Sequence, residues 1–292
     1  MDRSDRIIFV AGATGHQGGA SARHLLAEGW RVRALTRDPS QPSARALADL
    51  GAEVVRGDLT DRASLGRLLH GMYGVHSVET TREGGPDVEM EEGRNLADAA
   101  KEAGVHHFVY SSVNGAHDAD AKQPWMQSKH ELERYIANIG LPWTVWRPST
   151  FMENYLRQRE SIVGDGVLRG SEPPEMLKQL IAVDDIGRFI ALSFADRDTW
   201  LYKATEIAGD RLSLAEVAHV FGNVIGREVR YEQTPLPEGM PAPTPMPVVV
   251  DLFDMRALVP ELKTLEDWAA NLDWHQEMAG AGRVGGRMAN RY

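Results

Sequence analysis

The residues best suited to chemistry in this 292-residue chain are Gly12-Ala13-Thr14-Gly15-His16-Gln17-Gly18-Gly19, which directly follow the apolar run 7–11. Glycine at position 12 permits a tight turn out of a strand. At 15 it lets backbone approach a pyrophosphate, and at 18 it allows a helix to pack closely on the strand. A helix opening there offers unpaired N–H groups and the positive end of its dipole to phosphate oxygens. The run predicts a dinucleotide site on Gly12, Ala13, Thr14, Gly15, His16, Gln17 and Gly18; the plainer alternative is a glycine-dependent turn without a ligand.

Nineteen residues after Gly18 stands Arg37, where an NAD site carries an acidic residue for the ribose 2′-OH. A guanidinium suits a 2′-phosphate by charge and by bidentate geometry, so NADP(H) is favoured. The alternative is a solvated Arg37 paired with Asp38. Asp58 and Leu59 close a third apolar run and either border an adenine or form a turn with an N-cap at Thr60 or Asp61.

These residues need a frame, and the sequence supplies one. Strands are expected over 7–11, 31–35, 53–56, 75–78, 107–111 and 143–147, separated by helical patterns over 18–29, 44–50, 62–70, 88–103 and 128–138. Such alternation implies right-handed crossovers and a doubly wound parallel sheet. Beyond residue 150 the rhythm weakens: a short strand and helix over 182–195, a helix over 213–225 with a Ser213/Glu216 capping box, and a last helix over 264–272. Pro235 to Val248 holds six of the fifteen prolines and reads as an extended loop, or else as a lid or docking segment. The expected division is 1–150, with 182–205 returning to it, as a cofactor domain; 151–181 and 206–280 as a smaller α/β lobe that closes a cleft; and 281–292 as a flexible tail.

Composition excludes several classes. There is no cysteine, hence no disulfide, thiol nucleophile or Cys-ligated metal. The 32 Lys and Arg against 42 Asp and Glu give a net charge of −10, with no basic stripe for nucleic acid. No apolar run is long enough to cross a membrane and no signal peptide opens the chain, so a cytoplasmic protein is expected. The ten histidines show no metal-ligand spacing, and no metal site is expected. Glu89, Glu91 and Glu92 read as charges complementing a helix dipole, and Trp125, Trp143 and Trp146 as packing residues.

Taken with the GATGHQGG turn and Thr36-Arg37, further motifs carry a resemblance. They are Gly57-Asp58, Tyr110-Ser111-Ser112, Lys129 with Glu131 and Glu133, the run 147–154 (RPSTFMEN), 183–187 (VDDIG) and 264–268 (TLEDW). Over nearly its whole length the chain resembles the atypical short-chain dehydrogenase/reductases, and within them the NmrA-like family. The resemblance implies a Rossmann-like α/β fold that binds NADP(H). It gives Ser111 or Ser112, at the end of strand five, the place of the relatives' Ser, Lys129 hydrogen bonds to the nicotinamide ribose, and the loop Arg147-Pro148-Ser149 a place beside the nicotinamide. Phe151 then leads into the smaller lobe, and Thr80 and Thr81 flank the same cleft. Lys129 is the one catalytic candidate; its plainer alternative is a surface pair with Glu133 at i+4.

The dehydrogenase relatives carry a Tyr four residues before that Lys, and here the position is Trp125, whose indole donates no usable proton. Tyr155, His130 and Glu153 are substitute acids. The absent Tyr favours a cofactor sensor or regulator with a protein partner. The alternative is an NADPH-dependent oxidoreductase of a quinone or other conjugated carbonyl, with a small-molecule substrate. Either reading fits a monomer or a homodimer.

Overall fold

The apolar run Ile7–Val10 forms β1, and the sheet grows from it in both directions. The computed structural model of the protein describes residues 3–80, 84–117, 123–236 and 250–274. On one side of β1 lie β2 (Arg31–Thr36) and β3 (Glu53–Arg56). On the other lie β4 (Gly74–Ser77), β5 (His107–Ser111) and β6 (Trp143–Pro148).

Three strands of a second unit follow in sequence: β7 (Thr150–Phe151), β8 (Val167–Gly170) and β9 (Leu177–Ile181). The chain then supplies β10 (Ala204–Ile207), which completes a seven-stranded sheet of order β10-β6-β5-β4-β1-β2-β3, all pairs parallel. The fold is the expected doubly wound α/β type. From β3 the chain crosses back over β1 to start β4, so the strand order reverses between β1 and β4. That reversal is where nucleotides bind in open parallel sheets.

Helices cover the sheet: α1 (His16–Ala27), α2 (Pro42–Asp49), α3 (Arg62–Leu69), α4 (Gly85–Glu102), α5 (Pro124–Asn138), α6 (Val183–Ala195) and α7 (Arg197–Trp200). Phe9, Leu65, Leu69, Val75, Leu96, Phe108, Leu132 and Ile136 fill the core between α3, α4, α5 and the sheet. Two close approaches fix helix positions. A Cβ on Gly187 of α6 would lie 2.7 Å from the Ala20 carbonyl carbon of α1, so the glycine of the VDDIG motif sets α6 on the helix that follows the glycine turn. A Cβ on Gly93 of α4 would overlap Leu132 Cδ2 of α5.

The chain divides into two compact units. The first is Met1–Ser149, Val183–Ala208 and Val249–Glu261; the second is Thr150–Ala182, Gly209–Val248 and Leu262–Tyr292. Two details depart from the expected division. The return to the first unit runs past 205, because β10 pairs with β6 as far as Ile207 against Pro148. Residues 249–261, expected in the smaller lobe, also group with the first unit.

In the second unit β9 pairs with β7 in parallel and with β11 (Asp210–Ser213) antiparallel, while β8 pairs with β12 (Arg230–Gln233). Helix α8 (Leu214–Ile225) opens with the expected Ser213/Glu216 capping box. After α9 (Leu252–Leu258) of the first unit, α10 (Leu265–Ala270) opens with a second box, Thr264/Asp267. Met152, Tyr155, Leu168, Val217, Phe221, Trp268 and Trp274 form this unit's core. The expected tail 281–292, and the proline-rich loop beyond residue 236, lie outside the described residues.

Candidate functional site

The glycine turn leaves β1 where its neighbour β4 ends. The Ala11 N–H donates to the His76 carbonyl at 2.9 Å, and Gly12 then takes φ +57°, a backbone region that L side chains disfavour. A Cβ at 12 would sit 3.0 Å from the Val78 carbonyl oxygen. A Cβ at 18 would overlap the Gly12 carbonyl oxygen and come within 2.7 Å of that of Ala11, so only glycine lets α1 begin against the strand. Gly15 is the N-cap of α1 and supplies no side-chain acceptor, which leaves the first N–H groups, those of His16, Gln17 and Gly18, without a side-chain cap. Ala13 is buried, Thr14 half-buried, and Gly15 and His16 exposed. A bare, outward-facing helix start of this kind fits an anionic ligand.

Arg37 follows β2 directly and is exposed, while Asp58 follows β3 by two residues. The Asp58 carboxylate accepts from the Thr60 N–H at 2.9 Å and the Thr60 hydroxyl at 2.7 Å. These two bonds, and then the nearby Arg37 guanidinium, hold its pKa below the usual carboxylate value. The turn alternative for Asp58 is therefore present, with Asp61 as the actual N-cap of α3. Asp38 is turned onto Ser40, whose N–H and hydroxyl it accepts at 2.9 and 2.6 Å. Leu59 packs on the core, and its carbonyl accepts from Asn95 of α4 at 3.1 Å.

On the other side of β1 the structure gathers a cluster of buried charges that sequence reading missed. Glu89 is 1% exposed, and its Oε1 lies 2.8 Å from Lys129 Nζ; the Ser128 hydroxyl donates to its Oε2 at 2.6 Å. Glu89 stands in the second turn of α4, not the first. Its role as a dipole partner is corrected accordingly: it is the counter-ion of Lys129. The i+4 alternative for Lys129 is also corrected, because Glu133 is held by Arg147 through Nε at 3.0 Å and Nη2 at 2.6 Å. A planar guanidinium fork matches a carboxylate better than an ammonium does.

Glu79, two residues past β4, is 4% exposed. It accepts from the Ser77 hydroxyl at 2.7 Å, its Oε2 has no hydrogen-bond partner, and its carbonyl accepts from Lys129 Nζ at 3.3 Å. Burial pushes its carboxyl up to about 7. Tyr110, fully buried with no partner for its hydroxyl, lies under the same ammonium, 5.7 Å from ring centre to Nζ. Burial, followed by Glu79, Glu89 and Glu133, drives the Tyr110 phenol well above its ordinary pKa.

Ser111 and Ser149, at the carboxyl ends of β5 and β6, are buried and their hydroxyls lack hydrogen-bond partners, as does that of Ser112. Pro148 is buried at the end of β6, and its carbonyl accepts from the Asn114 N–H at 2.9 Å. Thr80 is exposed after β4, and Thr81 lies outside the described residues.

Phe151 belongs to the second unit, paired through β7 with Ile181. Tyr155 is buried there too, ring against Phe221 at 5.3 Å, and burial raises its phenol's pKa. Glu153 accepts from Trp268 Nε1 at 3.1 Å. Trp146 packs as expected, 4.6 Å from Trp200 and donating to Ser193 at 2.6 Å. Trp125 does not, because it sits on the first turn of α5 at 37% exposure. Among the described residues no group of three or more His, Asp or Glu is placed to hold a metal ion, and no helix is long and apolar enough to cross a membrane.

Comparison with known proteins extends the match beyond this site. The NmrA-like family model matches residues 4–280. Over 260 residues the chain is 30% identical to the NmrA-like family domain-containing oxidoreductase hkm9 of Aspergillus hancockii, covering 80% of this chain and 76% of that one. Among solved structures, NmrA, a negative transcriptional regulator, in complex with NADP aligns at TM-score 0.77 and 23% identity, covering 93% of this chain and 99% of that one. The NADPH-dependent quinone oxidoreductase QOR2 of Escherichia coli, complexed with NADPH, aligns at TM-score 0.68 and 25% identity over 78% of each chain. Because the family-model match runs far past the glycine turn and takes in nearly the whole chain, the chain belongs to the NmrA-like family.

Proposed function

We propose that this protein binds NADP(H) at the 12–18 turn and acts as an NADPH-dependent oxidoreductase on a quinone or other conjugated carbonyl. The turn carries the reading: a helix start with no side-chain cap, pressed against β1 so tightly that a Cβ at 18 has no room. Main-chain N–H groups at 16–18 hold the pyrophosphate. Arg37 meets the 2′-phosphate, and Asp58 and Leu59 border the adenosine half. That leaves the nicotinamide half for the carboxyl ends of β4 to β6, where Thr80, Ser111, Arg147 and Pro148 stand. The unpartnered Ser111 hydroxyl suits a ligand oxygen there, and Lys129 reaches the nicotinamide ribose. Arg147, committed to Glu133, contributes position and main chain rather than a free cation.

The cofactor supplies hydride. A conjugated carbonyl fits this site because hydride addition leaves a delocalised anion, which needs little help from a protein acid, and Trp125 provides none. The relative hkm9 is itself named an oxidoreductase. A second reading, a cofactor-responsive regulator, is favoured by the same Trp125 and by the commitment of Lys129 to Glu89.

Fluorescence titration with NADPH and NADH is expected to give tighter binding of NADPH, with the preference abolished in Arg37→Ala. Equal affinities in the unaltered protein would overturn the cofactor assignment. Following NADPH oxidation against a panel of quinones and enones then separates the two readings. Sustained turnover supports the oxidoreductase, while tight binding without turnover across the panel transfers the proposal to the regulator.

A further inference from the structure

Glu79 is a buried acid for which neither the sheet nor the helix packing has a use. Its place in the fold is specific. β1 and β4 are neighbours at the strand-order reversal, with Val10 registered on His76. The Ala11 N–H bonds the His76 carbonyl, and Gly12 is pressed against Val78, so the residue that precedes Glu79 lies directly against the glycine turn. With the adenosine half of a dinucleotide over β2 and β3, the nicotinamide half falls on the β4 side, where Glu79 is. Burying an acid there without a full set of partners is costly unless it is neutral or matched by a cation.

The surrounding charges show which of these holds. Glu79 faces Ser77 at the end of β4, Glu89 and Glu92 from α4, Lys129 from α5 and Tyr110 from β5. Lys129 already neutralises Glu89, and Arg147 neutralises Glu133. Among the described residues each of these two cations is thus matched to a carboxylate, leaving no full counter-charge for Glu79. A proton on its partnerless Oε2 balances the cluster. A positive ring brought to the nicotinamide half would supply the missing charge and displace that proton.

We infer, on the reading that the site takes NADP(H), that Glu79 is a proton-exchanging residue of the nicotinamide half, protonated when the site holds no ring cation and ionised when the oxidised cofactor is bound. The O–H bond of the Glu79 carboxyl breaks, the proton passes to solvent, and the carboxylate is left beside the cationic nicotinamide. NADPH, whose ring is neutral, releases no such proton. By linkage, affinity for the oxidised cofactor rises with pH relative to that for the reduced one, because the proton competes only with the cation. The fall from about 7 that an adjacent positive charge produces places the change in the physiological range.

The test is binding alone. Dissociation constants of NADP+ and NADPH are measured from pH 6 to pH 8 on the full chain, with calorimetry in two buffers of different ionisation enthalpy to count protons. The 2′-phosphate titrates in both cofactors and cancels in their ratio. NADP+ is expected to gain about tenfold over NADPH across the range, with a fraction of a proton released per NADP+ bound near pH 6.5. Glu79→Gln should bind both cofactors with a pH-independent ratio and no release, and Glu79→Asp should keep both effects. A flat ratio in the unaltered protein, or a pH-dependent one surviving in Glu79→Gln, overturns the inference while leaving cofactor binding intact. Failure of either cofactor to bind overturns the function on which it rests.

Should Glu79→Gln not fold, infrared difference spectra of the unaltered protein decide the same question. A buried carboxylic acid band present at pH 6.5 should vanish on adding NADP+ and persist with NADPH. A band unchanged by NADP+ overturns the inference.

Discussion

Lys129 on α5 and Glu89 on α4, forty residues apart in sequence, form an ion pair of 2.8 Å in which the carboxylate is 1% exposed. One turn further along both helices, Gly93 receives Leu132, and the missing Cβ at 93 sets the helix spacing that lets the pair meet.

Breaking this pair from one side strands a buried charge. Lys129→Met is expected to lower stability by about 3 kcal/mol, read from urea denaturation. The double variant Lys129→Met, Glu89→Gln should recover much of the loss, since no unpaired charge remains. A double variant no more stable than the single one would contradict the account.

Gly93→Ala places a methyl on Leu132 in a full core, and overpacking of this kind costs roughly 1–3 kcal/mol. Adding Leu132→Ala opens the space again, so the two changes together should destabilise by clearly less than their sum. Strict additivity in a thermal or urea double-mutant cycle would show that the contact does not set the helix spacing.

Gly18→Ala drives its methyl into the Gly12 carbonyl oxygen, and backbone cannot swing aside as a side-chain end can. The expected result is a loss of at least tenfold in NADPH affinity together with a lower melting temperature. An unchanged dissociation constant would remove the turn from the binding site.

Stability should depend on pH through two buried groups of β4 and its exit. Glu79 is raised from 4.5 to about 7, so its contribution is complete below 4.5 and disappears as pH rises through 7. Glu79→Gln should therefore be more stable than the parent at pH 8 and lose that advantage by pH 5. His76 is lowered from 6.5 to about 3 by burial, so its contribution is complete above 6.5 and disappears as pH falls towards 3. His76→Leu should flatten that acid limb. Denaturant midpoints measured from pH 3 to pH 8 check both slopes.

Much of the frame was legible because it is written in short-range terms. The run 7–11 followed by GATGHQGG specified strand, turn and helix. Ser213 with Glu216 specified a helix start through bonds spanning three residues. The topology followed from the regular alternation of strands and helices, and Arg37 was placed because it directly follows a strand whose neighbours were identifiable. Partner choice was not legible. Lys129 has Glu133 at i+4 in the sequence, yet Arg147 takes Glu133 and Glu89 takes Lys129. Trp125 resembled a packing residue by type, yet it is exposed, and the next residue, Met126, is the one its helix turn buries.

The sequence by itself determined the class of fold and the glycine turn between β1 and α1, and it set Arg37 directly after β2, since each depends on backbone sterics and hydrogen bonds within a few neighbours. Only the tertiary structure decided where the buried charges reside. Glu79 acquires its raised pKa chiefly from burial, with Ser77 of β4 and Lys129 of α5 opposing the shift and Glu89 and Glu92 of α4 adding to it, and desolvation and Coulomb energy depend on distances that exist only once those elements are packed.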